Sequence, residues 1–252
     1  MTTLDGRVAL VTGSSRGIGA AIARQFAQQG AAVAVHGRDA GAVAGRVAAI
    51  QDGGGTATGV TGDVTSSADT EAIRHQVEDT LGPVDILVAN AGASLTPPAA
   101  LEDIPEAGWR ATVDANLLAT FLTLKSFLPG MKARGRGAII TMASSAGRLA
   151  NARAPIAYGA AKAGVIMLTQ DVAAQAGPFG VRVNCIAPET ILTESNRERI
   201  PAGRQAELAG FHPLKRLGTP DDVAGTAVFL ASDAAAWITG LVVDITGGAV
   251  LV

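Results

Sequence analysis

The sequence predicts an α/β fold, in which one doubly wound sheet of about seven parallel strands carries helices on both faces. Two observations lead to this prediction. Short apolar runs rich in β-branched residues recur along the chain, and longer alanine-rich stretches with helical spacing separate them. Parallel strands need crossover connections, which place helices on both sides of the sheet. Because the 252 residues contain no low-complexity linker and no repeat, a single domain over residues 1–252 is expected.

Each strand is predicted from a short run with the composition of a buried strand. In chain order these runs are RVALVT, AAVAVH, TGVTG, DILVAN, GAIITMA, VRVNCIA and LVVDI. Helices are predicted between them, near residues 17–29, 39–50, 66–81, 107–134, 157–176 and 221–232. Residues 190–220 depart from this rhythm, because they are highly charged and long for a connection. Such excursions often serve as lids or binding loops, although a solvated surface segment has the same composition.

The composition excludes several kinds of function. Apolar residues make up 48% of the chain, which allows a large core, and the net charge is −2. Without a long basic run, neither nucleic acid nor an anionic membrane is expected as a partner. No export signal and no run of about 18 apolar residues is visible, so a cytoplasmic protein is expected. The lone cysteine, Cys185, lies in an apolar run and is predicted to be a buried, inert thiol.

A glycine-rich loop, TGSSRGIG at residues 12–19, joins the first predicted strand to the first predicted helix. Gly13, Gly17 and Gly19 permit a tight turn and let the backbone approach an anion. The helix that follows then directs its free N–H groups at that anion. Between a strand and a helix this spacing predicts a dinucleotide site, with a ligand-free glycine turn as the alternative.

The end of the second predicted strand bears on the choice of dinucleotide. An NAD site places an acidic side chain there, whereas an NADP site uses a cation for the 2′-phosphate. Arg38 follows this strand and is suited to phosphate, and Arg16 in the glycine loop adds a second positive charge. Asp39 lies late and is predicted to be the N-cap of the next helix. NADP(H) is therefore predicted over NAD(H), unless both arginines are merely solvated.

One tyrosine and one lysine interrupt an alanine-rich helix in YGAAK, residues 158–162. Tyr158 is the only tyrosine in the chain. A phenol with a pKa of about 10 transfers protons poorly near neutrality unless the phenolate is stabilised. Lys162 lies on the same helix face and is expected to lower that pKa. A nearby serine hydroxyl could polarise a carbonyl and stabilise a developing alkoxide. In isolation, however, such a pair is usually only exposed helix surface.

Taken together, the glycine loop, ANAG at residues 89–92 and YGAAK resemble the short-chain dehydrogenase/reductase family. In pattern the chain is most similar to its 3-oxoacyl-(acyl carrier protein) reductase-like ketoreductases, and the resemblance continues through NCIAPE and ITGLVVDITGG. It implies a Rossmann-type fold, a homotetramer, and hydride transfer between a nicotinamide and a small carbonyl or alcohol substrate. It also implies that Tyr158 is the acid/base, that Lys162 activates it and binds ribose, and that Asn116 helps to hold a proton-relay water.

The resemblance and the residues together predict a full cofactor site and no metal site. The predicted cofactor residues are Gly13, Ser15, Arg16, Gly17, Ile18, Gly19, Arg38, Asp63, Val64, Asn90, Ala91, Gly92, Tyr158, Lys162, Pro188, Ile191 and Thr193. The catalytic serine is less determined. Ser144 begins the pattern SSAG, as the family serine usually does, whereas Ser145 has the usual thirteen-residue separation from Tyr158. Ser144 is favoured, because the end of a strand fixes its direction more tightly than a loop length does.

Three positions depart from the family pattern. Ala89 replaces the first asparagine of NNAG, which is expected to affect stability more than chemistry. Glu189 replaces the glycine of a PG pair and either alters the mouth of the nicotinamide pocket or points to solvent. Phe179 stands where carrier-protein reductases commonly have a basic residue. Three nearby cations either form a basic patch beside the pocket or are ordinary charges at a helix end. They are Lys132, Arg134 and Arg136.

The sequence therefore predicts an NADP(H)-dependent carbonyl reductase or alcohol dehydrogenase for a small or medium, largely apolar substrate, with residues 190–220 as the substrate loop. A 3-oxoacyl-(acyl carrier protein) reductase is the alternative within the same class. A dinucleotide-binding regulator without catalysis is the alternative from another class. The intact set of Asn116, Ser144, Tyr158 and Lys162 argues against the regulator.

Overall fold

The computed structural model describes residues 3–150 and 154–251. At its centre is a parallel seven-stranded sheet with the strand order β3-β2-β1-β4-β5-β6-β7. The strands are β1 (Val8–Val11), β2 (Ala32–Gly37), β3 (Thr56–Thr61), β4 (Ile86–Ala89), β5 (Gly137–Met142), β6 (Val181–Pro188) and β7 (Val242–Ile245). Every strand predicted from the sequence is present, so the predicted doubly wound α/β fold is confirmed.

Helices cover both faces of this sheet. The helices of the described chain are α1 (Gly17–Gln28), α2 (Ala40–Asp52), α3 (Ser67–Leu81), α4 (Glu106–Val113), α5 (Ala119–Arg134), α6 (Ile156–Ala176), α7 (Glu194–Arg199), α8 (Ala202–Phe211) and α9 (Pro220–Ala231). The apolar residues of α1, α2 and α9 pack on one face, and those of α3, α5 and α6 pack on the other. The order of strands reverses between β1 and β4, and at such a point a crevice opens at the carboxyl ends of the strands.

The helix predicted over residues 107–134 is present, but its hydrogen bonding is not α-helical throughout. A π-helical turn, Asp114–Leu118, separates α4 from α5 and contains Asn116. The Asn116 side chain donates to the Thr112 carbonyl at 2.8 Å, and the Thr120 hydroxyl donates to the Asn116 carbonyl at 2.7 Å. These side chains use carbonyls that a regular helix would bond to backbone N–H groups. Single π-helical turns occur frequently at functional sites.

Residues 190–220 contain α7 and α8, which the sequence spacing did not predict. Neither helix has a buried residue, so neither shows the apolar periodicity from which a helix is recognised. A bridge between Ile191 and Gly218 joins the start of this excursion to its end. The excursion therefore returns to the carboxyl edge of the sheet, where β6 ends. None of the described helices is both long enough and apolar enough to cross a membrane.

Candidate active site

Two adjoining cavities lie at the carboxyl edge of the sheet. The first cavity, of about 450 Å³, lies over the ends of β1, β2 and β3, and the second, of about 560 Å³, lies over the ends of β5 and β6. They share Gly13, Arg16, Asn90 and Gly92. The other predicted site residues of the first cavity are Ser15, Arg38, Asp63, Val64 and Ala91. Those of the second are Gly17, Ile18, Gly19, Ser144, Tyr158, Lys162, Pro188, Ile191 and Thr193.

The glycine loop forms a cradle between the two cavities. Gly13 and Gly17 have left-handed backbone angles, with φ of +63° and +59°. At Gly19 a Cβ atom would meet the Gly13 carbonyl oxygen and would lie 2.6 Å from Asn90 Nδ2, so a larger residue does not fit. No described side chain caps the N-terminus of α1, which leaves its N–H groups directed at the cavities. The loop therefore fits the phosphates of a dinucleotide.

His36, at the end of β2, supports the glycine loop from beneath. The Gly13 N–H donates to His36 Nδ1 at 3.1 Å, and Nε2 lies 3.2 Å from the Gly62 carbonyl oxygen. This pairing requires the neutral ring with its proton on Nε2. Burial lowers the pKa of His36, which favours the same neutral form. His36 was not among the site residues predicted from the sequence. Its position at the end of the apolar run AAVAVH was the feature that could have indicated a buried polar role.

Arg38 and Arg16 are exposed and line the first cavity. Asp39 lines the same cavity, and its carboxylate accepts the Ala42 N–H at 3.0 Å and caps α2. The prediction that Asp39 is an N-cap is therefore confirmed. Hydrogen bonds from Thr65 lower the pKa of the Asp63 carboxyl, and Arg38 adds to the effect. The first cavity thus combines two cations with two aspartates.

Ser144, and not Ser145, faces the phenol of Tyr158. The Ser144 side chain is hydrogen-bonded to Tyr158 and also accepts the Ala146 N–H at 3.2 Å. Ser144 follows β5 and lines the second cavity, whereas Ser145 begins a short 3-10 turn, Ser145–Gly147. The end of the strand therefore decides the direction of the serine, as the sequence reasoning assumed.

Tyr158 and Lys162 lie on one face of α6 in buried surroundings. Burial raises the pKa of Tyr158, and the hydrogen bond with Ser144 offsets part of that rise. Lys162 Nζ donates to the Met142 carbonyl at 2.8 Å and lies 5.5 Å from the centre of the Tyr158 ring. Burial lowers the pKa of Lys162 to about 8. In this structure the pKa of Tyr158 therefore lies above its ordinary value, and a lowering of that pKa by Lys162 stays a prediction.

Asn116 lies behind Gly92 and does not line either cavity. Its Nδ2 donates to the carbonyls of Ala93 at 2.7 Å and Thr112 at 2.8 Å. Its Oδ1 is buried and, among the described residues, has no hydrogen-bond partner. A Cβ atom on Gly92 would lie 2.6 Å from this Oδ1 and 3.2 Å from Lys162 Nζ, so the amide oxygen and the ammonium approach each other across Gly92. Buried polar atoms are normally hydrogen-bonded, so Asn116 Oδ1 requires a hydrogen-bond donor that the described residues do not supply.

The segment of residues 188–193 closes the second cavity. Pro188, Ile191 and Thr193 line it, and Thr193 also caps α7 by accepting the Asn196 N–H at 3.3 Å. A Cβ atom on Gly17 would lie 3.3 Å from the Thr193 methyl group, so this segment reaches the glycine loop. Glu189 does not point freely to solvent, since its Oε2 lies 2.8 Å from His212 Nε2.

Three cations that could have formed a basic patch beside the pocket lie elsewhere. Lys132 and Arg134 end α5, and Arg136 precedes β5, whereas Ser144 follows β5. Because β5 has six residues, the two ends lie roughly 20 Å apart. Arg134 donates to the Val84 carbonyl at 2.7 Å, Arg136 pairs with Asp85 at 3.0 Å, and Lys132 lies over the Phe179 ring. Of the two alternatives, the structure therefore favours ordinary charges at a helix end.

Two smaller predictions concern buried residues. Ala89 is the buried last residue of β4, and the Asn90 side chain that follows it donates to the Thr12 carbonyl of the glycine loop at 2.9 Å. A lower stability from Ala89 stays a prediction. Cys185 is free and buried, and burial raises the pKa of its thiol, so the predicted buried, inert thiol is confirmed.

Comparison with known proteins agrees with this geometry. Residues 13–250 match the family model described as enoyl-(acyl carrier protein) reductase. The chain is also 41% identical to D-threitol dehydrogenase of Mycolicibacterium smegmatis, over 97% of this chain and 93% of that protein. It belongs to the short-chain dehydrogenase/reductase family. As a member of this family it is an oxidoreductase that uses a nicotinamide dinucleotide and acts on alcohol or carbonyl substrates.

Solved structures of other short-chain dehydrogenase/reductases superpose closely on this one. A gluconate 5-dehydrogenase from Burkholderia cenocepacia, in complex with NADP and tartrate, has a TM-score of 0.90 and 35% identity over 98% of this chain and 96% of its own. A 3-oxoacyl-(acyl carrier protein) reductase from Brucella melitensis, with bound NAD, has a TM-score of 0.90 and 32% identity over 99% of this chain and 95% of its own. Such relatives therefore differ in both substrate and dinucleotide.

Proposed function

We propose that this protein is an NADP(H)-dependent dehydrogenase/reductase in which Tyr158 is the acid/base for a secondary alcohol and its carbonyl product. The observation that carries this proposal is the hydrogen bond between Ser144 and Tyr158, beside Lys162, in the cavity that continues the glycine cradle. The bound dinucleotide would supply or accept the hydride. The glycine loop would hold its phosphates, and residues 188–193 would hold its nicotinamide end.

The side chains divide the proton chemistry among them. In reduction, the Ser144 hydroxyl donates to the substrate carbonyl oxygen, and Tyr158 gives its proton to that oxygen as the alkoxide forms. In oxidation, Tyr158 takes the same proton back. Lys162, with a pKa of about 8, exchanges a proton readily near neutral pH. Its approach to Asn116 Oδ1 supports a relay that returns a proton to Tyr158 through this buried side of the site.

The preference for NADP(H) over NAD(H) rests on the first cavity. Arg38 and Arg16 supply two cations there, and the Asp39 carboxylate is engaged in capping α2. A ribose 2′-phosphate, which carries negative charge, is therefore favoured over a 2′-hydroxyl that needs a free acid. The relatives with known cofactors include both kinds, so the choice rests on these residues.

The second cavity bears on the class of substrate. Segment 190–220 contributes polar side chains to its wall, among them Glu194, Ser195 and Asn196. This lining favours a small hydroxylated substrate over the largely apolar one that the sequence predicted. The name of D-threitol dehydrogenase, to which the chain is similar, indicates a substrate of this kind for that protein. Residues 190–220 are accordingly proposed as the substrate loop.

The direct experiment is a substrate panel with the purified protein. NADP⁺ reduction is followed with sugar alcohols and simple secondary alcohols, and NADPH oxidation with the matching ketones and with acetoacetyl thioesters. Turnover of hydroxylated substrates is the expected result. Preferential turnover of the thioesters would instead favour the 3-oxoacyl-(acyl carrier protein) reductase, to which the chain is similar, although Lys132, Arg134 and Arg136 lie away from this pocket. Binding of dinucleotide without turnover of any substrate would favour the non-catalytic regulator.

A single-domain homotetramer in the cytoplasm completes the proposal. The face formed by α5 and α6 exposes Phe121, Ile156 and Met167, which supports burial against another copy of the chain. Sedimentation equilibrium measures the mass of the assembly, and a monomer would contradict this part of the proposal. The reduced, buried Cys185 is consistent with a cytoplasmic location.

A further inference from the structure

We propose that Glu189 and His212 form a latch that positions residues 188–193 against the bound dinucleotide. Both are positioning residues, because they act through this segment and not on the reacting atoms. This role rests on the proposed function in one respect only, namely that residues 188–193 hold the nicotinamide end. Glu189 is one of the positions at which the chain departs from the family pattern, so the latch belongs to this protein's own sequence.

Both partners are held firmly. Glu189 follows β6, and its N–H donates to the Ile245 carbonyl at 3.1 Å. Its carboxylate Oε2 accepts the Thr190 N–H and lies 2.8 Å from His212 Nε2. His212 follows α8 and is only 4% exposed. A Cβ atom on Gly247 would lie 3.4 Å from the His212 ring, so the segment after β7 packs closely against this ring.

The hydrogen bonds fix the number of protons in the pair. His212 Nδ1 lies 2.9 Å from the Leu208 carbonyl oxygen, which can only accept, so Nδ1 carries a proton. A neutral ring would then direct the lone pair of Nε2 at the Glu189 carboxylate, and the two would repel. A proton must therefore lie between Nε2 and Oε2. The Thr190 N–H favours the ionised carboxylate, so the pair is an imidazolium and a carboxylate.

The latch joins the two ends of the excursion that covers the second cavity. Glu189 lies where β6 enters the excursion, and His212 lies where α8 leaves it. Backbone bonds already tie Leu192 to Gly218 at 2.8 Å and Gly218 to Thr190 at 3.2 Å. The side-chain latch adds a tie at residue 189, next to Pro188, which lines the cavity. Opening the latch therefore loosens the segment that reaches the dinucleotide.

The neighbouring charges leave the pair to itself. Arg216 is bound to Asp222 at 2.7 Å, and Asp244 is bound to Arg148 at 3.0 Å. On the remaining sides, Lys215 Nζ donates to the Gly210 carbonyl at 2.8 Å, and Arg204 pairs with Glu207 on α8. Each of these groups has an opposite charge or a carbonyl of its own.

The test compares NADPH dissociation constants, measured by nucleotide fluorescence at one fixed pH. In Glu189→Gln, the amide oxygen still accepts the Thr190 N–H, but the charge opposite His212 is removed. We therefore expect this variant to bind NADPH more weakly than the natural protein.

Truncation gives the size of the effect. Glu189→Ala and His212→Ala are each expected to raise the dissociation constant about tenfold, as the loss of a charged hydrogen bond does. The double variant should bind no more weakly than either single one, because both remove the same interaction. Glu207→Gln also replaces a carboxylate by an amide, but on the exposed side of α8, and should keep the natural affinity for NADPH.

Hydrogen exchange at residues 189–193, measured without dinucleotide, gives a readout that is independent of the proposed function. Faster exchange in Glu189→Ala and His212→Ala than in Glu207→Gln is expected. Equal exchange in all three overturns the latch. A natural protein that binds neither NADPH nor NADH contradicts the proposed function instead, and the exchange result still decides the latch.

Discussion

The Gly13 amide donates a hydrogen bond to His36 Nδ1 across 3.1 Å, which ties the glycine cradle to the end of β2. The other ring nitrogen lies 3.2 Å from the Gly62 carbonyl oxygen at the end of β3. One buried, neutral ring thus joins the three strands beneath the first cavity. Protonation would turn Nδ1 into a donor facing a donor, so the bond to Gly13 would be lost.

The pH dependence of stability should reflect this histidine. Burial lowers the pKa of His36 below its ordinary 6.5, so the unfolded chain binds the proton more strongly than the folded chain. The stabilisation is therefore present above about pH 6.5 and is lost as pH falls. His36→Gln keeps an acceptor for Gly13 and a donor for Gly62 but does not titrate. Its melting temperature should fall less steeply between about pH 8 and pH 5 than that of the natural protein. Parallel melting curves would contradict this assignment.

Gly19→Ala should disrupt the cradle. The added methyl group would meet the Gly13 carbonyl and would lie 2.6 Å from Asn90 Nδ2. The loop must then shift, and we expect the dinucleotide dissociation constant to rise at least about tenfold, together with a loss of about 1–3 kcal/mol of stability from overpacking. Gly45→Ala is the matched control, because a Cβ atom there meets nothing within 4 Å. In a helix interior that change should be neutral or stabilising. Equal behaviour of the two variants would refute the tight cradle.

Arg38 should decide between the two dinucleotides. Arg38→Ser removes a charged donor suited to the 2′-phosphate, so kcat/KM with NADPH should fall about 10- to 100-fold while that with NADH stays nearly unchanged. Arg24→Ser serves as the control, since Arg24 pairs with Asp221 outside the cavities. A natural preference for NADH, or equal losses with both dinucleotides in Arg38→Ser, would show that this arginine does not select the cofactor.

The two adjacent serines should differ sharply in effect. Ser144→Ala removes the hydroxyl that is hydrogen-bonded to Tyr158, and kcat should fall about 10²- to 10³-fold, as for the loss of a donor to a developing oxyanion. Ser145→Ala, one residue later in the 3-10 turn, should retain most of the activity. The measurement is steady-state kinetics of both variants. A larger loss of kcat in Ser145→Ala than in Ser144→Ala would mean that the length of the loop, and not the end of β5, decides which serine faces Tyr158.

Strong periodicity made the fold predictable, whereas local polar contacts were hidden from the sequence. The five inner strands were predictable because parallel strands buried on both faces are nearly continuous apolar runs. The π-helical turn at Asn116 was missed because it depends on side-chain bonds to carbonyls that a helical pattern does not reveal. Helices α7 and α8 were missed because they bury nothing.

The site was predictable where residues share one element, and less so where distant segments meet. Tyr158 and Lys162 lie together because helical spacing places them on one face of α6. Ser144 lies at the site because it directly follows the end of β5. The pairing of Glu189 with His212 spans 23 positions and has no local signal. The same holds for His36 beneath Gly13. The pKa of Tyr158 was not predictable either, because burial raises it and the hydrogen bond with Ser144 lowers it. Residue spacing alone does not give the extent of burial.

The most direct measurement of the central claim is turnover by Tyr158→Phe, made with the dinucleotide and the alcohol or ketone that serve the natural protein best. Removing the phenolic hydroxyl should lower kcat by about 10²- to 10⁴-fold, the usual contribution of an acid/base, while the dinucleotide dissociation constant changes less than about threefold. Turnover close to that of the natural protein, with the dinucleotide still bound, would contradict the assignment of Tyr158 as the acid/base.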